Sequence, residues 1–458
     1  MSSSGTHTPS TNNEPMQLER GLGLKEATAL NMIDMVGIGP FIVAPLVIKT
    51  MGGPQAIVAW VAGALLALID GFVWSELGAA MPKAGGSYSF LREAYGPGRW
   101  GKFMSFLFIW QTMFQAPLVI ASGAIGFSQY LTFLIPLSVV GQKAISGALV
   151  VVLVLLLYRR ITTIGKLSLL LWSGVIVTVL WLIWGGVSHF DASVAFNYPA
   201  HAWDFSALFF VVLGQATVQT TYTYLGYYNV CYLGGEVRDP EKNIPRSIFI
   251  SIGGIAVLYL AMQFSIMGVL PWKEASESQF IVSTFVEHIF GTRAADIATV
   301  TVLWIAFASL FSALLGYSRV PYAAAIDGTF FSPFARLHSR KHFPHVSLLA
   351  LGAAAFVFSL VFKLTDAIKA LLAMRILVQF MGQTVGVFLL RKRWTADRFP
   401  FKMWLYPLPA VLALIFWGFV FLSTGTVFVV GALVTSAVGV IVFFLRARFV
   451  REWPFSAG

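Results

Sequence analysis

Length, composition and charge together exclude a soluble globular protein. The chain has 458 residues, of which 57% are hydrophobic and only 11% are charged, whereas soluble domains carry about 25% charged residues. A net charge of +11 would suggest nucleic-acid binding in a soluble protein, but in an apolar chain it is the basic signature of cytoplasmic loops. We therefore expect no nucleic-acid partner. The single cysteine, Cys231, also excludes an intramolecular disulfide and a cysteine-rich metal site.

The chain begins with a polar stretch and continues as a series of apolar segments. Residues 1–20 are rich in serine, threonine and asparagine and lack the apolar core of a signal peptide, so we expect a disordered cytoplasmic tail. Segments of about 20 apolar residues then recur, the length of a membrane-spanning helix. The sequence therefore predicts an all-α integral membrane protein with 12 transmembrane helices in the lipid bilayer, at residues 24–50, 55–81, 103–131, 144–158, 166–187, 205–233, 248–270, 294–326, 346–362, 368–390, 403–422 and 427–445.

Basic residues set the predicted orientation. Most lysines and arginines fall between the spans on the side that carries the N-terminus, and such an excess marks the cytoplasmic side. With an even number of spans, both termini are then cytoplasmic, and residues 448–458 form a C-terminal tail. We expect a multi-pass protein of the cell membrane.

The sequence VGIGPF at 36–41 predicts an interruption of the first span. Proline and glycine are the residues least compatible with a helix interior. An unpaired backbone group in hydrocarbon costs several kcal/mol, so a broken helix persists only where protein covers it or where it borders a polar cavity. The break therefore indicates either a binding site or a simple packing kink.

The sixth span contains a second interruption, YLGYYN at 224–229. Span one starts inside and span six starts outside, so two units of five spans would be inverted copies. Paired interruptions at matching positions of inverted halves indicate the substrate site of a secondary transporter. The second break therefore favours the binding-site interpretation of the first.

Three signatures resemble those of the amino acid–polyamine–organocation (APC) superfamily of permeases, with the closest likeness to its L-type and bacterial amino acid exchangers. They are VGIG at 36–39 followed by Phe41, ELGAAMPKAGGSY at 76–88 followed by YGP at 95–97, and GGEVRDPEKNIPR at 234–246. The resemblance implies a five-plus-five inverted-repeat (LeuT-like) core with discontinuous helices 1 and 6, working by alternating access. The core would occupy residues 21–400, as spans one to five (24–187) and six to ten (205–390). Residues 401–447 would add two accessory helices.

Helix-break chemistry suits an α-amino acid. A helix N-terminus offers unpaired N–H donors and about half a positive charge to a carboxylate, while unwound carbonyls accept from an ammonium. The predicted substrate-binding residues are those of the two breaks, with two glutamines and one aromatic residue on span three. They are Val36, Gly37, Ile38, Gly39, Gln111, Phe114, Gln115, Tyr224, Leu225, Gly226 and Tyr227. The rings of Tyr227, Tyr228 and Phe114 would close the pocket or simply pack in the core.

Coupling and gating are assigned to a second group of residues. In sodium-independent relatives, the resemblance implies, a lysine at the position of Lys166 replaces a coupling sodium, bridging the first break to Ser309 or Ser312 on span eight. The alternative for Lys166 is an ordinary cytoplasmic loop lysine. Asp34 is the candidate proton-responsive group, and Arg375 is expected to form an outer gate with Asp296.

The leading hypothesis is a secondary active amino acid transporter that is sodium-independent and is either proton-coupled or an exchanger. The alternatives are a polyamine or organic amine transporter and a transport-derived amino acid sensor. No catalytic motif is present, so we expect no enzyme activity. We expect no cofactor or metal, and a coupling proton rather than a sodium site. The expected ligand is an amino acid, as a small-molecule substrate, and a homodimer is left open.

Overall fold

The computed structural model describes residues 18–361 and 372–455. Within these ranges the chain is helical and contains no β-strand. Residues 1–17, 362–371 and 456–458 lie outside the described residues. They include most of the predicted N-terminal tail, the end of predicted span nine, the start of span ten and the last residues of the C-terminal tail.

The helices are labelled in chain order. Those of the first half are α1 (Leu24–Met35), α2 (Gly39–Met51), α3 (Ile57–Ala80), α4 (Ser87–Ala94), α5 (Trp100–Leu131), α6 (Val139–Leu157), α7 (Ile161–Ser188) and α8 (Ala192–Ala195). Those of the second half are α9 (Ala207–Tyr224), α10 (Asn229–Tyr232), α11 (Pro240–Met267), α12 (Trp272–Glu277), α13 (Ile281–Phe290), α14 (Thr292–Tyr317), α15 (Arg319–Ile326), α16 (His345–Val361), α17 (Leu372–Arg393), α18 (Leu408–Ser423) and α19 (Thr426–Val450).

The described residues contain 8 helices that are long and apolar enough to cross a membrane, or up to 9 when α1 and α2 are taken as one bent span. Predicted spans six, nine and eleven correspond to α9 with α10, to α16 and to α18, which are shorter or less apolar. The protein is thus a multi-pass helical membrane protein, and the full number of twelve stays a prediction. Predicted span eight is two helices, α14 and α15, which separate at Ser318.

Burial distinguishes the central helices from the peripheral ones. The most apolar 18-residue stretch of α17 is 72% buried inside the protein, whereas that of α19 is only 17% buried. The broken helix lies centrally: α1 contacts α7, α11 and α14, and α2 contacts α9 and α12. Apolar side chains on the peripheral helices therefore face lipid, while polar side chains concentrate around α1.

A buried polar network ties α1 to α10 and α14. The Asn31 side-chain oxygen accepts from the Val230 N–H at 2.9 Å, and the Asn229 amide donates to the Ser312 carbonyl at 2.9 Å. The Ser312 hydroxyl in turn donates to the Leu30 carbonyl at 2.6 Å. Because buried polar groups must be paired, this network holds the three helices in one register beside the first break.

Candidate functional site

The first span is broken where the sequence predicts. Helix α1 ends at Met35, α2 begins at Gly39, and their axes differ by 44°. Pro40 carries no N–H, and the Gly37 N–H turns back to the Met35 carbonyl at 3.0 Å. The N–H groups of Ile38 and Gly39 donate to no acceptor among the described residues. The start of α2 therefore exposes two free donors.

The sixth span is also broken, and its break meets the first. Helix α9 ends at Tyr224, and residues 225–228 are not helical. Gly226 has φ +124°, a conformation that L side chains rarely adopt, and a Cβ there would lie 2.8 Å from the Asp34 carbonyl carbon and the Met35 nitrogen. Glycine is thus required at this point because the two unwound segments are in direct contact.

Glycine at position 37 lets α14 approach the first break. A Cβ on Gly37 would lie 2.6 Å from the Ser309 hydroxyl oxygen. The Ser309 hydroxyl donates to the Asp34 carbonyl at 3.2 Å from this position.

A small polar cavity lies where the two breaks face α5, α14 and α17. Its volume is about 80 Å³, whereas one water needs about 10–15 Å³ by the same measure, so it has room for several waters or a small ligand. Its lining includes both breaks and side chains of all three facing helices. The sequence-predicted residues among them are Asp34, Gly37, Ile38, Gly39, Leu225, Gly226, Ser309 and Arg375.

The cavity has one acidic and one basic wall. Asp34 lines it from the end of α1, and its carboxylate forms no hydrogen bond or ion pair with another described residue. Arg375 lines it from α17, where the guanidinium donates to the Gln115 side-chain oxygen at 3.2 Å and to the Tyr228 hydroxyl at 3.0 Å. The Asp34 carboxylate and the Arg375 guanidinium border the same cavity. This arrangement suits a ligand that carries both a positive and a negative charge.

Three predicted residues of the breaks do not line the cavity. Val36 is buried as the C-cap of α1. The Tyr224 ring packs edge-on against Trp60 and lies outside the lining. The Tyr227 hydroxyl points toward α3 and donates to the buried Asp70 carboxylate at 2.5 Å. Tyr228 takes the place at the cavity wall that we expected for Tyr227.

The two glutamines of α5 have different environments, although they are one turn apart. Gln115 reaches Arg375, whereas the Gln111 amide donates to the Ser436 hydroxyl on α19 at 3.1 Å. Phe114 is 43% exposed and packs edge-on against Trp110. Gln111, Phe114 and Gln115 are therefore all outside the cavity lining, and Gln115 alone of the three contacts a lining residue, Arg375.

The structure does not place Lys166 in the predicted bridge. Lys166 is exposed on α7 and forms no hydrogen bond or ion pair with any described residue. The carbonyls of α1 that it was expected to reach are instead bonded by the hydroxyls of Ser309 and Ser312. Lys166 lies within α7 rather than in a loop, and its exposed position gives no support to the predicted bridge.

The predicted outer gate is also wrong in its partner. Asp296 is exposed on α14, whereas Arg375 is buried and contacts Gln115, Tyr228 and the Tyr317 ring. Arg375 thus belongs to the cavity wall. Tyr222, Thr223 and Tyr317 also line the cavity and were not predicted. The polar residues in the last turn of α9 are the sequence feature that could have identified Tyr222 and Thr223.

The second and third signatures pack on each other: a Cβ on Gly234 would lie 2.9 Å from the Lys83 carbonyl oxygen. The Gly85 N–H donates to the carbonyl of Tyr232, two residues before the third signature, at 3.0 Å. Within the third signature, Glu236 forms a buried two-bond ion pair with Arg319, at 2.7 and 2.8 Å. Glu76 pairs likewise with Arg391. Glu236 and Glu76 therefore both have structural partners.

Apolar helices around a broken span, with a small polar cavity at the break, define a multi-pass membrane protein of the transporter class. The chain belongs to the amino acid permease family: the sequence profile described as "Amino acid permease" matches residues 22–445. This match confirms the resemblance to the APC superfamily, whose members are transporters and not enzymes.

Curated relatives agree with the family. The serine/threonine exchanger SteT of Bacillus subtilis (strain 168) is 26% identical over 87% of this chain and 89% of that protein. The branched-chain amino acid permease BcaP of the same organism is 24% identical over 94% of each chain. The Asc-type amino acid transporter 1 of Mus musculus is 28% identical over 96% of this chain and 83% of that protein.

Proposed function

We propose that this protein is a secondary active transporter that binds an α-amino acid at the two helix breaks and moves it by alternating access. The observation that carries the proposal is the pair of free N–H groups, on Ile38 and Gly39, at the cavity-lining start of α2. This helix has 13 residues, and its N-terminus offers donors and a positive partial charge to a carboxylate.

The ammonium end of the substrate has its acceptors on the opposite side of the first break. The Asp34 carboxylate lines the cavity and forms no hydrogen bond with another described residue, and the Leu225 and Tyr222 carbonyls accept no hydrogen bond from the described residues around the second break. A cation is thus drawn to the end of α1 and an anion to the start of α2. This arrangement matches the charge separation of an α-amino acid.

The architecture proposed is twelve spans with a five-plus-five inverted-repeat core and both termini in the cytoplasm. Its support is the position of the two breaks, in predicted spans one and six, with the unwound segments in contact at Gly226. In such a core, the halves rock around a fixed site at mid-membrane. The buried Glu236–Arg319 pair would then be one contact that closes a gate.

Transport is proposed to be sodium-independent, with either a proton or a second amino acid as the counterpart. Asp34 is the cavity residue able to take a proton, and the relative named as a serine/threonine exchanger supports exchange. The role of Lys166 in replacing sodium has no support from its exposed position. The proposed homodimer stays a prediction.

Uptake by purified protein in proteoliposomes tests the proposal. Radiolabelled amino acids should accumulate in choline buffer as well as in sodium buffer. Accumulation should collapse when both the pH gradient and the internal amino acid are removed. A strict requirement for sodium would refute the coupling proposal, and binding without any uptake or counterflow would instead indicate a sensor.

The polyamine alternative has less support. A polyamine carries several positive charges and would need acidic residues around it, but the cavity offers Asp34 as its acidic residue and sets Arg375 against it. The fixed guanidinium would repel a polycation. Putrescine and spermidine should therefore fail to compete for uptake.

A further inference from the structure

Arg375 is held in one orientation and keeps one unused donor atom. Its Nε donates to the Gln115 side-chain oxygen and its Nη1 to the Tyr228 hydroxyl, while the guanidinium lies 5.2 Å from the centre of the Tyr317 ring. The third nitrogen, Nη2, is buried and has no hydrogen-bond partner among the described residues. Arg375 as a whole is only 5% exposed.

A second unused donor lies beside it. The Gln115 side-chain nitrogen is also buried without a partner among the described residues. The Gln115 oxygen accepts from Arg375, so the amide orientation is fixed and its NH₂ group remains available. Of the two side chains, Arg375 lines the cavity, and Gln115 contacts Arg375 from outside the lining. Buried donors are almost always paired in folded proteins, so these two orphans on contacting side chains indicate an acceptor that reaches Arg375 from the cavity.

The chemistry of these donors specifies the acceptor. The free Nη2 of a guanidinium donates a charge-assisted hydrogen bond to a carboxylate oxygen, and such a bond is stronger than a neutral one. The Arg375–Gln115 donor pair is distinct from the free N–H groups of Ile38 and Gly39, which belong to α2. The cavity therefore has two places for an anion and, at Asp34, one place for a cation.

We propose that the substrate is an acidic α-amino acid, aspartate or glutamate, whose side-chain carboxylate binds Arg375 and Gln115. This inference rests on the proposed function, which places the α-carboxylate at the start of α2 and the ammonium at Asp34. An acidic amino acid carries two carboxylates and one ammonium, the same set of charges that the cavity complements. A neutral side chain would leave the two donors unpaired, and sites with buried donors reject analogues that lack the matching group.

The amide pairs of the acidic amino acids provide the sharpest test, because each differs from its acid by one charged group of nearly the same size. Uptake of labelled L-glutamate or L-aspartate by wild-type protein in proteoliposomes is measured. Unlabelled glutamate, glutamine, aspartate, asparagine and leucine are added as competitors. Charged hydrogen bonds contribute about 10- to 100-fold in affinity. Each acid should therefore compete about 10- to 100-fold better than its amide.

Two variants locate the effect at Arg375. Arg375→Gln should lose the preference for the acid over its amide by the same 10- to 100-fold. Arg375→Lys should restore part of this preference, because lysine returns the positive charge but not the planar N–H donors of the guanidinium. Arg293→Gln is the matched control, since Arg293 is exposed on α14 and lies outside the cavity; its preference should equal that of the wild type. If Arg375→Gln fails to fold, the wild-type competition alone decides.

The outcomes separate this inference from the proposed function. Uptake of neutral amino acids that acidic ones do not inhibit would overturn the inference and leave the proposed function intact. Loss of uptake of every amino acid in a folded Arg375→Gln would overturn it too, by assigning Arg375 to the α-carboxylate. Failure of the wild type to take up any amino acid would refute the proposed function itself.

Discussion

Replacing Gly226 by alanine tests whether the contact between the two helix breaks is essential. The backbone at Gly226 has φ +124°, and a non-glycine residue forced into such a conformation costs about 1–3 kcal/mol. The new Cβ would also lie 2.8 Å from two backbone atoms of α1, at Asp34 and Met35, which cannot rotate away. Overpacking of this kind costs a further 1–3 kcal/mol or so. Together the variant should lose about 2–6 kcal/mol of stability.

The measurement is unfolding of the purified variant in detergent without any ligand, so that its outcome does not depend on the substrate. Gly253→Ala is the matched control, because Gly253 lies within α11 and has nothing within 4 Å of its Cβ position. A glycine-to-alanine change inside a helix should stabilise it by about 0.5–1 kcal/mol. If Gly226→Ala were as stable as Gly253→Ala, the close contact of the two breaks would be refuted.

Three further sets of substitutions test the buried ion pair, the role of Lys166 and the two glutamines of α5. Glu236→Gln leaves a buried arginine unpaired and should cost about 3–5 kcal/mol in thermal unfolding, whereas Glu452→Gln, in a half-exposed pair, should cost at most about 1 kcal/mol. Lys166→Gln should change the free energy of unfolding by no more than about 0.5 kcal/mol and should leave the uptake rate unchanged. Loss of uptake would support the coupling role of Lys166. Gln115→Leu should raise the KM for uptake about tenfold or more and Gln111→Leu should not; equal KM values would place Gln115 outside the site.

The buried Glu236–Arg319 pair has a consequence for the proposed alternating access. Glu236 and Arg319 are 0% and 1% exposed, so their pair is shielded from water. Separating two such charges requires that each regain partners or water. A substrate that drives the opening must therefore supply differential binding energy to the open state.

Sequence alone determined the membrane class, the approximate spans and the positions of both breaks. These features depend on local chemistry: apolar runs need lipid or core, and the glycines and proline of 36–41 and 224–229 cannot continue a helix wherever the surrounding chain lies. The loop signatures were equally recognisable, because their residues are contiguous.

The tertiary structure alone decided which side chains meet at the cavity. Gln111 and Gln115 lie on one side of α5, yet one contacts α19 and the other contacts α17, because the neighbouring helices change along its length. Tyr227 and Tyr228 lie in an unwound segment, where no helical period predicts direction, so only the coordinates assign Tyr228 to the site. Rotation of each helix about its own axis is fixed by long-range packing. That is why the sequence located the backbone of the site while the fold selected Arg375 and its partners.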